Sequence, residues 1–192
     1  MIKPIVFNYP IERQYDLNVK LHELLLTHST ERLGGFKKKG KRLQGGRRTP
    51  WDLHRQGVKE FDELAGWVKS ILPRVASYFA RLKKGEKCSF LVEALEITHM
   101  WGVIYDKGDS VYPHNHFPFS VSFGYYVCTP QGCSPLKIEN KKINIQAGDC
   151  IFFSGPTWHS VDPEPVGGRS MIAGNILYSD SKIDESFTRL KK

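Results

Sequence analysis

His114 and His116 stand one residue apart in the stretch YPHNHFPFSVSFGYY, and His159 follows in AGDCIFFSGPTWHSV. Residues two apart on an extended chain point the same way, so the first pair presents both imidazoles to one side, as a metal clip does. A third ligand has to come from another element. Gly148 and Asp149 predict a turn, CIFF a strand, and SGPTW a bend that aims His159 back inward. Two histidines alone are as often ordinary surface residues; a third in a second element favours a metal. Carried into the next strand, the same parity puts Ser120, Ser122, Gly124 and Tyr126 on the cavity side. Val121, Phe123, Tyr125 and Val127 then face away, unless a bend falls near Pro118.

Strands must position these groups. From about Cys88 onward SFLVEALEITHMWGVIY, FSVSFGYYVC, PLKIE, KKINIQ, CIFFS and RSMIAGNILYS are short, β-branched and aromatic, with Gly, Pro, Asn and Asp between them. No helix pattern alternates with them, which argues for an antiparallel sandwich or barrel rather than a doubly wound sheet. Before Cys88 the period is helical. Leu17, Leu21, Leu24 and Leu25 share one face of a helix over 17–28. From Val58 to Leu82 apolar residues recur in steps of three and four, with Pro73 placed to kink or split that helix. Thr49, Pro50 and Asp52 predict a short capped helix that Gly57 closes. None of these faces gathers a polar cluster, so they read as scaffold. The expectation is one domain over 1–192, with helical support and a basic loop in 1–87 and the β-core in 88–180.

The net charge of +8 (28 minus 20) is uneven. GGFKKKGKRLQGGRR, within 32–48, holds no acid and cannot bury apolar surface, so it reads as a mobile, solvated loop, with a clamp for an acidic or polyanionic partner as the sharper option. Phe36 and Trp51 are the aromatics beside it, too few to make a strong case for nucleic acid. Cys88, Cys128, Cys133 and Cys150 have neither disulfide-scaffold density nor zinc spacing and read as free thiols. With no apolar run of membrane length and Pro4 and Pro10 breaking the opening segment, a soluble cytoplasmic protein is expected.

The segment YDKGDSVYPHNH resembles the Y-x-x-G-x-x-x-x-x-H-x-D stretch of prolyl-hydroxylase-like, iron- and 2-oxoglutarate-dependent oxygenases. The order GGRRTPWDL, amphipathic helix, PHNH, GYYV, GDCIFFS and WHSV is similar to bacterial and phage members of that superfamily over residues 45–178. The resemblance implies a double-stranded β-helix (jelly roll, cupin-like) core in an α+β, mainly β chain, with N-terminal helices packed on one side. It implies Fe(II) on His114, His116 and His159, 2-oxoglutarate as cosubstrate on Arg169 and Tyr126 with Tyr105 nearby, O2, and oxidation of a substrate C–H bond, most simply hydroxylation. Trp158 is expected to shield the site or fill space beneath its loop, and Asn175 to face the cavity and contact substrate.

Two departures stand out. Where that family carries Asp, this chain has His116, and Met171 replaces a small hydroxyl residue two positions after Arg169. Direct ligation by His116 is favoured over its standing aside, or over Asp109 or Asp162 filling in. The alternative is a cupin-type metal-dependent dioxygenase, isomerase or ligand-binding module, since Gly108 to His116 and Gly148 to His159 fit the two cupin half-motifs. Against it, FPFSVS lacks the cupin glutamate and Arg169 would have no task. A metal-free interaction protein is the third option. His99 and Trp101 are expected in or near the core, and His22, His28 and His54 exposed.

Overall fold

A computed structural model describes residues 3–32, 37–38, 41–42, 45–79 and 94–178. The expected strand start at Ser89, the helix end at Leu82, the boundary at 87/88 and Cys88 lie outside them. Strand β1 (Ile5–Asn8) precedes helix α1 (Ile11–His28), which starts directly after Pro10. Leu17, Leu21 and Leu25 are buried at i, i+4 spacing along it. Short strands β2 (Glu31–Arg32), β3 (Lys37–Lys38), β4 (Lys41–Arg42) and β5 (Arg47–Arg48) follow. The basic segment read as loop therefore holds strand at 32, 37–38, 41–42 and 47–48, with β2 on β5, β3 on β4, and β5 on the long strand β6 (Leu95–Tyr105).

Thr49 does not cap a helix. Its Oγ1 accepts from the Gly102 N–H (2.9 Å), which pins this segment to β6, and only a 3-10 turn forms, at Leu53–Arg55. Helix α2 (Lys59–Phe79) runs through Pro73 and buries Phe61, Leu64, Val68, Leu72 and Val75. Glu60 and Asp62 in its first turn complement the helix dipole.

The remaining strands are β7 (Val111–His114), β8 (Val121–Cys128), β9 (Leu136–Ile138), β10 (Lys141–Ile143), β11 (Asp149–Ser154), β12 (His159–Val161) and β13 (Arg169–Tyr178). A seven-stranded antiparallel sheet has the order β1-β11-β8-β13-β6-β5-β2, and a four-stranded one β10-β9-β12-β7. Both faces of the large sheet are covered, which is why β8 and β11 read as nearly continuous apolar runs. Phe123, Tyr125, Cys150 and Phe152 join the α1 and α2 stripes in one core. Tyr126, Ile151 and Phe153 point the other way and meet Leu136, Ile138 and Val161 of the small sheet. Gly148, at φ +90°, makes the expected turn into β11. Among the described residues no helix is long and apolar enough to cross a membrane.

Candidate metal centre and its cavity

His114 ends β7 and His159 begins β12, and the two are direct partners in the antiparallel register. Directly opposed residues share a face, so both rings enter the space between the sheets, with centroids 4.2 Å apart. His116 lies past the end of β7. Its N–H donates to the Gly155 carbonyl (2.7 Å) and its carbonyl accepts from the Phe119 N–H (2.9 Å). That short bridge brings its ring to 5.0 Å from His159 and 5.1 Å from His114. One ligand atom from each imidazole falls within 4.8 Å of the others.

The tautomers are set by backbone carbonyls. His114 Nδ1–H donates to Tyr112 O (2.8 Å) and His159 Nδ1–H to Thr157 O (3.1 Å), which leaves their Nε2 lone pairs free. The Nε2 atoms of His116 and His159 are 3.3 Å apart. Two cis ligands on one ion at ~2.1 Å stand about 3 Å apart, so the spacing suits a shared ion. Burial, with the neighbouring rings, pushes the pKa of His159 down to about 3 and of His116 to about 4, and burial lowers that of His114. All three are neutral at pH 7, as ligands must be. Among the described residues no carboxylate joins the group. Asp109 Oδ2 accepts from the Asp106 N–H (2.8 Å), and Asp162 pairs with Lys137 (2.6 Å).

The histidines line a cavity of about 350 Å³. Gly124 and Tyr126 line it as the parity argument requires, although β7 and β8 belong to different sheets. Phe123 also reaches the cavity, while Ser122 instead donates to Asn175 Oδ1 (2.9 Å). Tyr105 and Tyr126 wall the deep end and are buried, which raises both phenol pKa values. Arg169, fully buried, lies 4.5 Å from the Tyr105 ring and 5.6 Å from the Tyr126 ring. Its Nη1 donates to Ser134 O (3.0 Å) and to Glu164 Oε1 (2.6 Å). Burial opposes the charge of Arg169, but Tyr105, Tyr126 and Glu164 outweigh it. Burial also raises the Glu164 carboxyl, against the pull of Arg169. Two polar atoms at this end have no partner among the described residues, Arg169 Nε and Tyr126 Oη.

Asn175 is buried against Ser122 and does not line the cavity. Trp158 is 55% exposed, also outside the lining, so it neither fills space nor covers the metal group. His22, His28 and His54 are half-buried rather than exposed. His22 Nδ1 bonds Ser170 Oγ (2.8 Å), and both ring nitrogens of His54 are buried without a partner among the described residues. Four residues had not been singled out for the site. Glu164 holds Arg169, Trp101 sits 5.8 Å from the His116 ring, and Trp51 and Arg48 continue that wall. A period-two count back from Tyr105 through Val103 to Trp101 would have found the tryptophan, whereas Glu164 left no signal.

No family model matches the sequence, and no curated protein matches it. Solved structures do. A prolyl-4-hydroxylase from Pseudomonas putida superposes with a TM-score of 0.63 at 15% identity, covering 91% of this chain and 92% of the other. A prolyl hydroxylase from Trichoplax adhaerens, in complex with a hypoxia inducible factor peptide, gives 0.60 at 18% identity, with 95% and 86% covered. The epimerase SnoN from nogalamycin biosynthesis, in complex with Fe3+, alpha ketoglutarate and nogalamycin RO, gives 0.62 at 13%, with 93% and 82% covered. The chain has the fold of these non-haem iron oxygenases.

Proposed function

We propose that this protein is a non-haem Fe(II)- and 2-oxoglutarate-dependent dioxygenase that oxidises, most simply by hydroxylation, a C–H bond of its substrate. The observation that carries the proposal is three neutral imidazoles with convergent nitrogens lining one cavity, backed behind the Tyr105 and Tyr126 rings by two buried polar atoms without a partner among the described residues, Arg169 Nε and Tyr126 Oη. His114, His116 and His159 would hold the iron. An unpartnered guanidinium N–H and an unpartnered phenol hydroxyl are what a carboxylate would satisfy, so Arg169 and Tyr126 would take the distal carboxylate of 2-oxoglutarate, with Tyr105 as a wall. When bound, iron and 2-oxoglutarate together supply activation of O2, coupled to oxidative decarboxylation of the keto acid.

The chain's own residues do the rest. Tyr112 and Thr157 carbonyls hold two Nε2 lone pairs toward one point. Glu164 and Ser134 fix the Arg169 guanidinium before any ligand arrives, which reduces the ordering cost of binding. Val103, Phe153, Leu136 and Met171 line the space between with apolar surface and exclude water there. We read the whole chain as one domain, its two sheets as the halves of a double-stranded β-helix and α1 and α2 as the support on one side. The lack of a carboxylate in the metal group among the described residues favours a second reading, a cupin-type dioxygenase or binding module that uses three histidines alone. Anaerobic titration of the Fe(II)-loaded protein with 2-oxoglutarate separates the two. A visible metal-to-ligand charge-transfer band is expected; iron binding without it would favour the cupin reading.

A further inference from the structure

The outer wall of the cavity is chemically unlike its apolar middle. Trp51 lies against Trp101 with ring centroids 4.3 Å apart, a contact between residues that the sequence separates widely. The fold makes it through a backbone bond from Met100 N–H to Trp51 O (2.8 Å). Arg48 is the register partner of Val103, so it shares the inward face of the sheet, and its guanidinium rests on Trp51 at 4.4 Å. Nη2 of Arg48 is tied to Glu31 Oε2 (2.6 Å), while Nε is buried with no acceptor among the described residues. A guanidinium that lines the cavity beside a two-indole wall recognises a flat ring that carries an anionic oxygen.

We propose that Arg48, Trp51 and Trp101 form a subsite for a small aromatic or heteroaromatic acid. Its ring lies along the indoles and its carboxylate faces the Arg48 guanidinium. The subsite runs outward from His116, through the Trp101 ring 5.8 Å away, whereas Arg169 lies beyond Tyr105, four residues further along β6. Arg48 pairs with Val103 and Arg169 with Tyr105, two residues apart on opposite edges of β6, so at about 3.3 Å per residue along the strand and ~4.8 Å between strands their backbones stand roughly 12 Å apart, one for each of two acids. Rising from that separation, the inference rests on the oxygenase reading only for its claim that the ring acid is the molecule oxidised.

Two facts favour a small ligand over a polyanion. A cavity of about 350 Å³ lies at the small end of ligand sites. Two neighbouring cations, Arg32 and Arg47, are drawn to one carboxylate, Asp106 (3.3 and 3.8 Å), which takes up part of their charge.

The test is calorimetric titration of the full chain with indole-3-carboxylate and, as the uncharged match, indole-3-carboxamide. It is run on the EDTA-treated protein and again anaerobically with Fe(II) and 2-oxoglutarate present. The acid should bind more tightly than the amide in both states. Arg48→Gln should weaken the acid about tenfold or more with little change for the amide, and Trp51→Ala should weaken both roughly fivefold. Equal affinity for the two probes, or no binding of either, overturns the proposal. So does a ten-residue oligothymidylate that binds more tightly than the acid and depends on Arg48, because the cation would then serve a polyanion. Should circular dichroism show Arg48→Gln unfolded, Arg48→Lys decides, since it keeps the charge and loses the planar fork; unchanged selectivity there also overturns it. If the probes behave as expected but 2-oxoglutarate gives no charge-transfer band, the oxygenase reading falls and the subsite stands. A band with no Arg48 dependence means the reverse.

Discussion

The charges in this cavity add up in an unusual way, and the sum can be perturbed from either end. A carboxylate at position 116 would contribute −1 beside the metal, leaving Arg169 as a free +1 at the other end. Here position 116 is a neutral imidazole, and Glu164 sits 2.6 Å from Arg169, where it cancels the arginine. With Fe(II) and a 2-oxoglutarate dianion bound, both arrangements sum to zero. The negative charge has moved from one end to the other. His116→Asp alone should therefore leave an excess −1 and weaken 2-oxoglutarate. Glu164→Gln alone should leave +1 and tighten it. The lever arm follows from β6, where Trp101 touches His116 and Tyr105 touches Arg169, roughly 13 Å apart. At an effective dielectric of about 20, one charge over that distance is worth ~1.3 kcal/mol, or about tenfold in Kd. The assay is the Kd of 2-oxoglutarate from the anaerobic charge-transfer titration of all four proteins, with iron stoichiometry measured alongside. The double variant should return to within about threefold of the parent. If Glu164→Gln fails to recover affinity in the His116→Asp background while the protein remains folded and iron-loaded, the compensation argument is wrong.

Other consequences follow from the same geometry. Glu164→Ala strands a fully buried guanidinium, so urea unfolding should report a loss of ~3–5 kcal/mol, whereas Glu164→Leu with Arg169→Met should lose far less, because both buried charges go together; a cost below about 1 kcal/mol for the single change would contradict this. His159→Ala should abolish stoichiometric iron binding, read by metal analysis after gel filtration. Arg169→Ala should weaken 2-oxoglutarate far more than iron, and parallel losses would mean the arginine acts only on the fold. Gly155 leaves no room for a side chain, since a Cβ there would collide with the Phe119 carbonyl, and its own carbonyl holds the His116 N–H. Gly155→Ala should cost about 10–100-fold in iron affinity with the helical content intact.

What could be read from the sequence was what local periodicity and direct spacing encode. The α2 stripe from Phe61 to Val75, the β6, β8, β11 and β13 strands and the histidine trio all follow from residues that signal within a few positions of themselves. Strands β1, β7 and β12 escaped although β9 and β10, equally short, were legible in PLKIE and KKINIQ; β1 and β7 adjoin or carry prolines that read as breaks, and β12 forms between partners on both sides rather than by propensity. Thr49 looks like a cap because its side chain is a good acceptor; in the fold that acceptor is claimed by Gly102 N–H instead. Asn175 was placed in the cavity by counting twos from Arg169; Met171 and Ala173 on that count do line it, but Asn175 lies past its end, where Ser122 claims its side chain. Glu164 is the instructive omission. Nothing in DPEPVGG marks an acid that will be 1% exposed, because its burial is tolerable only once Arg169 folds back across the PVGG loop and the Ser134 N–H arrives from another segment. An ion pair closed across an irregular loop has no sequence period. The residue that sets the charge of the cosubstrate end could therefore be found only after the fold had closed around it.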